Sequence, residues 1–522
     1  MMHTRVGVGL GLLLGTLACG GRDASWSEPL SDTETVGLRH AVVLGDDPLE
    51  RVMVLKSDGV GQLQRTLLPV GQHRVKMLPD VSGEQLLVLS SGIQPRLEAD
   101  DELPSLSLLD TRGTPSVAAR YPLSAPFSNL TLDPAGQWVV LSGAAENLVT
   151  NPNQLVLIDL TDPDFEPFTK TIRSFGAAPV RFQFSTELDV PGGARRFLIV
   201  ETLQDVTLVD LEDLTRSEVT IGLPRTPAGA AGKPLEVVVH PGLDDVPNDA
   251  RLAIRLENDP NLVLVNFTPT ESDDTQFNLT LNLVDVGAPP SALDFVATDG
   301  GLRLAALVPG RLEAALVHPD TTRVEHLDLP QRFDRLRKVG SGAVPSGDSD
   351  VALLWGQNQN SVAVWSLGRT DAQAFRSIDV LNLDARVAQV FDVPGDTYGR
   401  RKLLQADDSR FFVLDLERRQ SFPMLSSGSL SLSVADDGLR AWAFAVGSPR
   451  LAKIDLSTLE PTNLQIERPL AAVFDIASST GGGRTLVALH GGGGRSATLL
   501  NALEPDSAST RFYPALLLGG QP

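Results

Sequence analysis

The chain has 522 residues, of which 42% are hydrophobic and 21% are charged. It is too apolar for a disordered chain and too long for one ordinary small domain, so several domains or a repeat architecture are expected. The formal net charge of -21 disfavours nucleic acid and anionic lipid headgroups as partners, because such a surface repels both.

The N-terminus has the composition of a signal peptide. A short segment with one arginine precedes an apolar stretch from Val6 to Leu17, which is too short to span a membrane. Ala18 and Cys19 follow, and this run resembles the cleavage box of bacterial lipoproteins, although Thr16 stands where that family usually has leucine. The resemblance implies that Cys19 carries a diacylglycerol and becomes the mature N-terminus.

The cysteine census supports the lipid anchor. Cys19 is the only cysteine, and a lone thiol in an oxidising compartment could pair only between molecules. The alternative is an ordinary signal peptide in which Cys19 is incidental. We expect residues 1–18 to be the signal peptide, 19–37 a lipidated N-terminus and flexible tether, and 38–522 one propeller domain.

Beyond residue 38 the chain reads as β-strands. Apolar runs of Val, Leu, Ile and Phe alternate with Gly, Pro, Asp and Asn clusters, and uninterrupted helical periodicity is nearly absent. This pattern predicts an all-β body.

The strands fall into a repeating four-stranded unit. The clearest copy spans residues 127–175 and contains LDPAGQWVVLSG and QLVLIDL, and a second copy contains SVADDGLRAWAFAVG and LAKIDLSTL. In the other units we predict that the third strand ends at Asp110, Asp210, Asn266, Ser366, Asp415 and Asn501. A step of this size is typical of the antiparallel blades of a β-propeller.

The two clear copies resemble the YVTN-type repeat of bacterial β-propellers, which has an Asp-x-x-Gly turn before the second strand and Ile-Asp-Leu near the end of the third. The matching residues are Asp133, Gly136 and Ile158 to Leu160 in one copy, and Asp436 or Asp437, Gly438 and Ile454 to Leu456 in the other. Such a turn needs an aspartate that accepts backbone hydrogen bonds and a glycine at positive φ, so we interpret the repeated aspartates as structural.

The number of blades is predicted from the count of repeat units and from the usual size of propellers. The chain contains about nine repeats and a partial one around residues 40–56, whose missing first strand we expect from the C-terminal run 515–518. Such an exchange would close the ring and remove its exposed edges. Ten blades exceed the usual four to eight, so we predict seven or eight blades, with up to ten repeat units.

Polar loops between second and third strands are the candidate binding residues, because antiparallel blades place these loops on one face of the disc. The candidate binding residues in these loops are Glu98, Asp100, Asp101, Glu102, Asn147, Asn151, Asn153, Gln357, Asn358, Asn360 and His490.

Metal and catalytic motifs point to no site. The acidic loop 98–102 lacks the spacing of a calcium loop, and the histidines form no H-E-x-x-H or H-x-H pair. His490 precedes four glycines, as in an esterase oxyanion loop, but no Gly-x-Ser-x-Gly elbow accompanies it. We predict no catalytic residue, metal or cofactor.

These observations predict a membrane-tethered, non-enzymatic binding or scaffold propeller of the bacterial cell envelope, whose partner is an envelope protein or polymer. Gly20 after Cys19, in place of aspartate, favours outer-membrane sorting. One alternative is a lactonase-like hydrolase with its site at the central channel, since propellers resembling this one include lactonases. Another is a scaffold in outer-membrane assembly, by analogy with a lipoprotein propeller of that machinery.

Overall fold

The computed structural model describes most of the chain beyond residue 33. The described residues are 34–46, 50–58, 62–144, 151–173, 178–225, 232–242, 246–270, 276–339, 350–357, 359–368, 377–393, 396, 400–408, 410–425, 431–458, 460–478, 481–491, 496–505, 510–514 and 516. The predicted signal peptide and Cys19 lie outside them.

The described residues form ten four-stranded antiparallel sheets, each built from consecutive strands. Blades 1 to 5 contain β1(Thr35–Gly37), β2(Val42–Asp46), β3(Arg51–Ser57), β4(Leu63–Pro69); β5(Arg74–Pro79), β6(Gln85–Ser90), β7(Ser105–Asp110), β8(Ser116–Pro122); β9(Phe127–Leu132), β10(Trp138–Ala144), β11(Gln154–Asp159), β12(Phe168–Thr171); β13(Arg181–Phe184), β16(Phe197–Glu201), β17(Asp205–Asp210), β18(Val219–Gly222), with an inserted hairpin β14(Leu188–Val190) and β15(Gly193–Arg195); and β19(Pro234–His240), β20(Arg251–Leu256), β21(Asn261–Pro269), β22(Phe277–Asp285).

Blades 6 to 10 contain β23(Ala292–Thr298), β24(Gly301–Val308), β25(Glu313–Val317), β26(Val324–Asp328); β27(Arg335–Val339), β28(Val351–Trp355), β29(Ser361–Ser366), β30(Ile378–Asn382); β31(Val387–Asp392), β32(Arg401–Ala406), β33(Phe411–Asp415), β34(Gln420–Leu425); β35(Ser431–Val434), β36(Arg440–Phe444), β37(Arg450–Asp455), β38(Pro461–Gln465); and β39(Leu470–Ala477), β40(Arg484–His490), β41(Ser496–Asn501), β42(Arg511–Tyr513).

The ten blades form one closed ring. The first strands of neighbouring blades contact one another, as β19 contacts β23 and β23 contacts β27, so the first strand of each blade is innermost. One hydrophobic cluster fills each of the ten blade interfaces, including the interface between blade 10 and blade 1. The all-β propeller prediction is therefore confirmed, and the prediction of seven or eight blades is wrong.

The middle strands of each blade are buried because both of their faces are covered by neighbouring blades. In β10, Val139 and Leu141 pack toward blade 2, whereas Trp138 and Val140 pack toward blade 4. This alternation explains why second and third strands read as continuous apolar runs, and it gives Trp138 the packing role expected of a buried tryptophan.

Among the described residues, which include only Leu516 of the run 515–518, no blade is shared between the two ends of the chain. Blade 1 has its own first strand, since Thr35 to Gly37 pair with Leu44 to Val42. Leu516 packs in the cluster between blades 10 and 1 without joining a sheet. The expected exchange of a C-terminal strand is thus wrong for the described residues, and apolar packing takes its place.

Buried lysines link neighbouring blades. The ammonium of Lys56 in blade 1 donates to the carbonyl oxygens of Thr111, Arg112 and Gly113 in blade 2, at 2.6, 3.2 and 2.7 Å. Lys170 in blade 3 donates in the same way to two carbonyls of blade 4.

Antiparallel strand order gives the disc two distinct faces. The face that carries the connections from second to third strands is called the 2–3 face. Residues 91–104 of blade 2 and 202–204 of blade 4 are two of these connections. The opposite 1–2 face carries the connections from first to second and from third to fourth strands, such as 133–137 in blade 3.

Candidate binding face

All the predicted loops belong to the 2–3 face, but they are spread around the ring. They lie in blades 2, 3, 7 and 10, and blades 2 and 7 are five positions apart in a ring of ten. Asn147 and Asn358 lie outside the described residues. The loops therefore do not converge on one small site.

The loop of residues 91–104 in blade 2 is held by its own hydrogen bonds. The Asp101 carboxylate accepts from the backbone N–H groups of Leu97 and Glu98 at 2.7 and 2.8 Å, and these bonds lower the pKa of Asp101. Backbone N–H of Ile93 donates to the Glu102 carbonyl at 3.0 Å and closes the base of the loop. The Asp101 side chain thus orders the tip of the loop by binding backbone N–H groups three and four residues before it.

The same loop is fixed to the body of the disc and presents an apolar side chain. Glu102 accepts from backbone N–H of Gln72 at 3.1 Å and forms an ion pair with Arg120 of β8. At the tip, Leu97 is 84% exposed, and Glu98 and Asp100 beside it are exposed as well. An ordered loop therefore holds a leucine out in solvent, with Arg96 before it and the carboxylates of Glu98 and Asp100 after it.

The asparagine loops of blades 3 and 7 mainly order their own backbone. Asn151 accepts from backbone N–H of Asn153 at 3.0 Å, and the carbonyl of Asn360 accepts from Leu383 at 2.7 Å. Backbone N–H of Gln357 donates to Asp334 at 3.0 Å. The Gln357 and Asn360 side chains remain exposed on the 2–3 face.

His490 is a buried residue at the end of β40, with only 2% of its surface exposed. Its Nδ1 lies 3.0 Å from the carbonyl of Pro469, and its Nε2 lies 2.7 Å from the hydroxyl of Thr498. Burial lowers the pKa of His490 below its ordinary value. The structure therefore places the His490 ring inside blade 10, where it does not present the ring to a ligand.

A cleft of ≈ 590 Å³ opens on the 1–2 face between blades 3 and 4. Its floor is a pair in which one terminal nitrogen of Arg196 lies 2.6 and 2.7 Å from the two oxygens of Asp133. Glu187 and Glu212 are exposed on its walls. This cleft escaped the sequence analysis because Arg196 and Asp133 belong to different blades, 63 residues apart.

A chain of ion pairs crosses the 1–2 face near the ring closure. The buried carboxylate of Asp475 lies 2.7 Å from Arg484 Nε and 3.3 Å from Arg440 Nε, and it accepts from the indole N–H of Trp442 at 2.9 Å. Arg484 also reaches Asp436 of blade 9 at 2.5 Å. The Asp436 and Asp133 turns are thus both bound by an arginine from the next blade.

Glu201 is a carboxylate buried in the interface between blades 4 and 5, at 1% exposure. Arg181 Nη1 lies 3.5 Å from its Oε1, and neither oxygen has a hydrogen-bond partner among the described residues. Burial raises the pKa of Glu201, the positive charge of Arg181 opposes that rise, and nearby Glu236 adds to it. The carboxylate has no path to a bound substrate at this exposure.

Charged residues make contacts on and beside the first strands of blades 5 to 7. Arg255 Nε donates to Glu236 at 3.0 Å, and backbone N–H of Lys338 donates to Asp294 at 3.2 Å. Burial raises the pKa of Asp294, and the Lys338 ammonium lowers it in part. The first contact joins the first and second strands of blade 5, and the second joins the first strands of blades 6 and 7. In both, a carboxylate is bound by a donor from the neighbouring strand.

The described residues contain neither a metal-site cluster nor a membrane-spanning helix. No group of three or more His, Cys, Asp or Glu side chains there has the arrangement of a metal site. No helix in the same part of the chain has the length and apolar character needed to cross a membrane.

The fold and these surfaces define a ten-bladed β-propeller. No protein-family profile and no curated protein matches the chain. Similar solved structures include Sqt1 of Saccharomyces cerevisiae, at 10% identity over 82% of this chain and 96% of that chain, with a TM-score of 0.37.

Dihydro-heme d1 dehydrogenase NirN is similar at 12% identity over 86% of this chain and 79% of that chain, with a TM-score of 0.38. Dipeptidyl peptidase 4 of Porphyromonas gingivalis is similar at 8% identity over 88% and 64%, with a TM-score of 0.40. At such identities and TM-scores the likeness carries no argument about what this chain binds or catalyses.

Proposed function

We propose that the protein is an exported, lipid-anchored binding propeller of the cell envelope that holds an envelope protein or polymer on its 2–3 face and catalyses no reaction. The observation that carries this proposal is the internally bonded loop 91–104, which presents Leu97 to solvent. The YVTN-type origin of its blades belongs to the same proposal and rests on the turn and closing residues of blades 3 and 9.

An ordered loop with an exposed leucine can bind a partner at a low cost in conformational entropy. Burying a leucine side chain in a partner contributes about 1.5–3 kcal/mol, and the loop is already ordered, so little conformational entropy is lost on binding. Arg96 precedes Leu97, but its guanidinium donates to the carbonyl of Ala99 at 2.8 Å. The exposed carboxylates of Glu98 and Asp100, which follow Leu97, favour a partner that surrounds an apolar pocket with cationic or hydrogen-bond-donor groups.

The spread of the polar loops indicates the size of the partner. Gln357 and Asn360 lie in the blade opposite Leu97, so a ligand that contacts both must extend across the disc. A protein or an extended polymer has that reach, whereas a small metabolite does not.

The test of the binding face uses two exposed aliphatic side chains on opposite faces. Leu97→Asp changes the 2–3 face, and Val81→Asp is the matched control, because Val81 is 58% exposed on the 1–2 face. Purified variants are used to recover partners from envelope extracts, with chemical cross-linking to locate the contact. We expect Leu97→Asp to reduce recovery at least about tenfold, equivalent to 1.4 kcal/mol, and Val81→Asp to leave it unchanged. Equal recovery by both variants would rule out the loop as the binding element.

The lipid anchor is tested separately. Cells expressing the full chain are labelled with a clickable fatty acid, and wild type is compared with Cys19→Ala in membrane and soluble fractions. Loss of label and of membrane association with the cysteine supports the anchor. A soluble, unlabelled wild type refutes it and leaves the binding-face experiment unaffected.

The two alternatives predict different outcomes. A channel-centred hydrolase needs a carboxylate that reaches substrate. Among the described residues, the carboxylates with raised pKa values are the buried Glu201 and the partly buried, hydrogen-bonded Asp294. We therefore assign no catalytic step to them. The assembly-scaffold alternative is a special case of the binding proposal, and the identity of the recovered partner decides it.

A further inference from the structure

The outer strand of blade 5 differs from the other outer strands of the ring. β22 has nine residues, whereas β18 of the preceding blade has four and β26 of the following blade has five. Within the described residues it pairs only with β21, so its second edge has unpaired backbone N–H and C=O groups. Such an edge is a template for another strand.

The apolar side chains of β22 are only partly covered. Phe277 and Leu279 pack against the cluster between blades 4 and 5. Leu281 and Leu283 continue the same stripe, since alternate residues of a strand share a face, but they are 42% and 54% exposed. Because β18 is too short to cover the whole of β22, this stripe extends onto the rim of the disc.

Outer strands elsewhere in the ring carry residues that discourage pairing. Seven of the other nine contain a charged residue or a proline that is not fully buried: Arg65 in β4, Arg120 in β8, Glu325 and Asp328 in β26, Asp379 in β30, Pro423 in β34, Pro461 in β38 and Arg511 in β42. The other two, β12 and β18, are four residues long. Charges and prolines on edges are the usual protection against edge-to-edge association, and β22 has neither before its last residue, Asp285.

The sequence of β22 is also self-complementary. Residues 278–282 read Asn-Leu-Thr-Leu-Asn in both directions, with Thr280 at the centre. If two copies of the strand pair antiparallel about Thr280, each Asn278 lies opposite Asn282 and each Leu279 opposite Leu281 of the second copy. Directly opposed side chains lie about 4.5–5.5 Å apart on one face of a sheet, so each copy covers the exposed leucines of the other.

We propose that β22 is a dimerisation edge, at which two copies of this chain join rim to rim through a two-fold antiparallel β22–β22 pair. A two-fold interface requires one patch that fits itself, and the palindromic, uncharged segment 278–282 of β22 satisfies that condition. The proposal is independent of what the 2–3 face binds.

Cross-linking tests the pairing directly. Thr280→Cys is introduced into the full chain carrying Cys19→Ser, so that the new thiol is the only one. Thr462→Cys is the matched control, because Thr462 is an exposed threonine on β38, the outer strand of blade 9. A short bis-maleimide should convert most of the Thr280→Cys protein to a covalent dimer and leave Thr462→Cys monomeric. Equal cross-linking of the two variants would overturn the proposal.

Sedimentation analysis gives the second test. The full chain carrying Cys19→Ser should show a concentration-dependent mass that approaches two chains, and Leu281→Lys or Leu283→Lys should return it to one chain. Both leucines are exposed, so unchanged melting temperatures are expected and show that the variants fold. A monomeric parent, or a dimer that persists in both lysine variants, contradicts the proposed edge.

Discussion

Arg39 of blade 1 lies 3.2 Å from Asp436 of blade 9 and so spans blade 10 at the point where the ring closes. The same arginine approaches Glu84 of blade 2 at 3.6 Å, and its backbone carbonyl accepts from Ala477 of blade 10 at 2.8 Å. Arg39 therefore gives blade 1 polar contacts with blades 2, 9 and 10, in addition to the apolar cluster between blades 10 and 1 that contains Leu516.

The charged residues near the ring closure differ in burial, so they are predicted to contribute very differently to the free energy of unfolding. The Asp475 side chain is fully buried and binds Arg440, Arg484 and Trp442, so Asp475→Ala removes the buried carboxylate that both guanidinium groups share. Their remaining carboxylate partners, Asp437 and Asp436, are partly exposed. Breaking such a buried network costs about 3–5 kcal/mol, whereas the half-exposed Arg39 contributes about 0–1 kcal/mol. Urea unfolding should therefore show a large loss of stability for Asp475→Ala and a small one for Arg39→Ala. Similar losses would mean that the exposed pairs hold the ring as strongly as the buried ones.

Lys56 is predicted to contribute more to blade packing than Lys453. Each lysine donates to the connection between third and fourth strands of the next blade, but Lys56 is buried and binds three carbonyls, whereas Lys453 binds the carbonyl of Leu503 at 2.8 Å. Lys56→Met should destabilise the protein by about 1–3 kcal/mol, since buried carbonyls lose their donor. Lys453→Met serves as the control, and a loss as large as that of Lys56→Met would contradict this account. Thermal unfolding measures both.

Much of the fold could be predicted from local patterns. The third strands end at Asp110, Asp210, Ser366, Asp415 and Asn501, as expected, because these strands are buried on both faces and stop at a polar turn residue. Asn266 lies within a longer strand that ends at Pro269.

The features that the sequence analysis missed have different physical causes. β1 is three residues long and partly exposed, so it lacks the apolar run that identifies the other strands, and blade 1 was expected to lack its own first strand. The predicted blade number was too low because the usual four to eight blades were preferred over the ten repeat units counted. The Asp133–Arg196 pair and the Asp475 network join residues from neighbouring blades, and spacing along one repeat does not reveal such contacts. His490 precedes a glycine run, which resembles a loop, although the residue ends a buried strand.

The substitution Glu201→Gln is predicted to stabilise the folded protein at neutral pH. Its pKa is raised in the folded protein, so the folded state holds the proton more tightly than the unfolded chain, whose carboxyl titrates near 4.5. That stabilisation is fully present below the unfolded pKa and is lost as the pH rises through the folded pKa. At neutral pH a buried, poorly compensated charge remains, so Glu201→Gln should unfold at a higher temperature than wild type.

The difference between Glu201→Gln and wild type should shrink as the pH falls toward 4.5, because the protonated carboxyl is neutral like the amide. Melting curves at several pH values test this. If Glu201→Gln is less stable at neutral pH, the attraction of Arg181 outweighs the cost of burial, and our interpretation of the interface is wrong.

His490 should make the protein sensitive to mild acid. A carbonyl oxygen only accepts, so Nδ1–H donates to Pro469, and the neutral ring accepts at Nε2 from the hydroxyl of Thr498. Burial, together with the nearby charge of Arg468, lowers the pKa of the folded state below the ordinary value of 6.5. Protons therefore bind the unfolded chain first, and the contribution of His490 to stability, complete above pH 6.5, decreases as the pH falls below it.

His490→Gln removes this titration and some of the hydrogen bonding. It should destabilise the protein by about 1–3 kcal/mol at neutral pH, and the gap to wild type should narrow between pH 6.5 and 5, because only wild type loses stability through this group. Urea unfolding across that range measures the gap, and carboxylates common to both proteins cancel in the difference. A gap that stays constant would show that the ring is not held neutral by burial, whereas a narrowing gap with unchanged partner recovery would place His490 in the packing of blade 10.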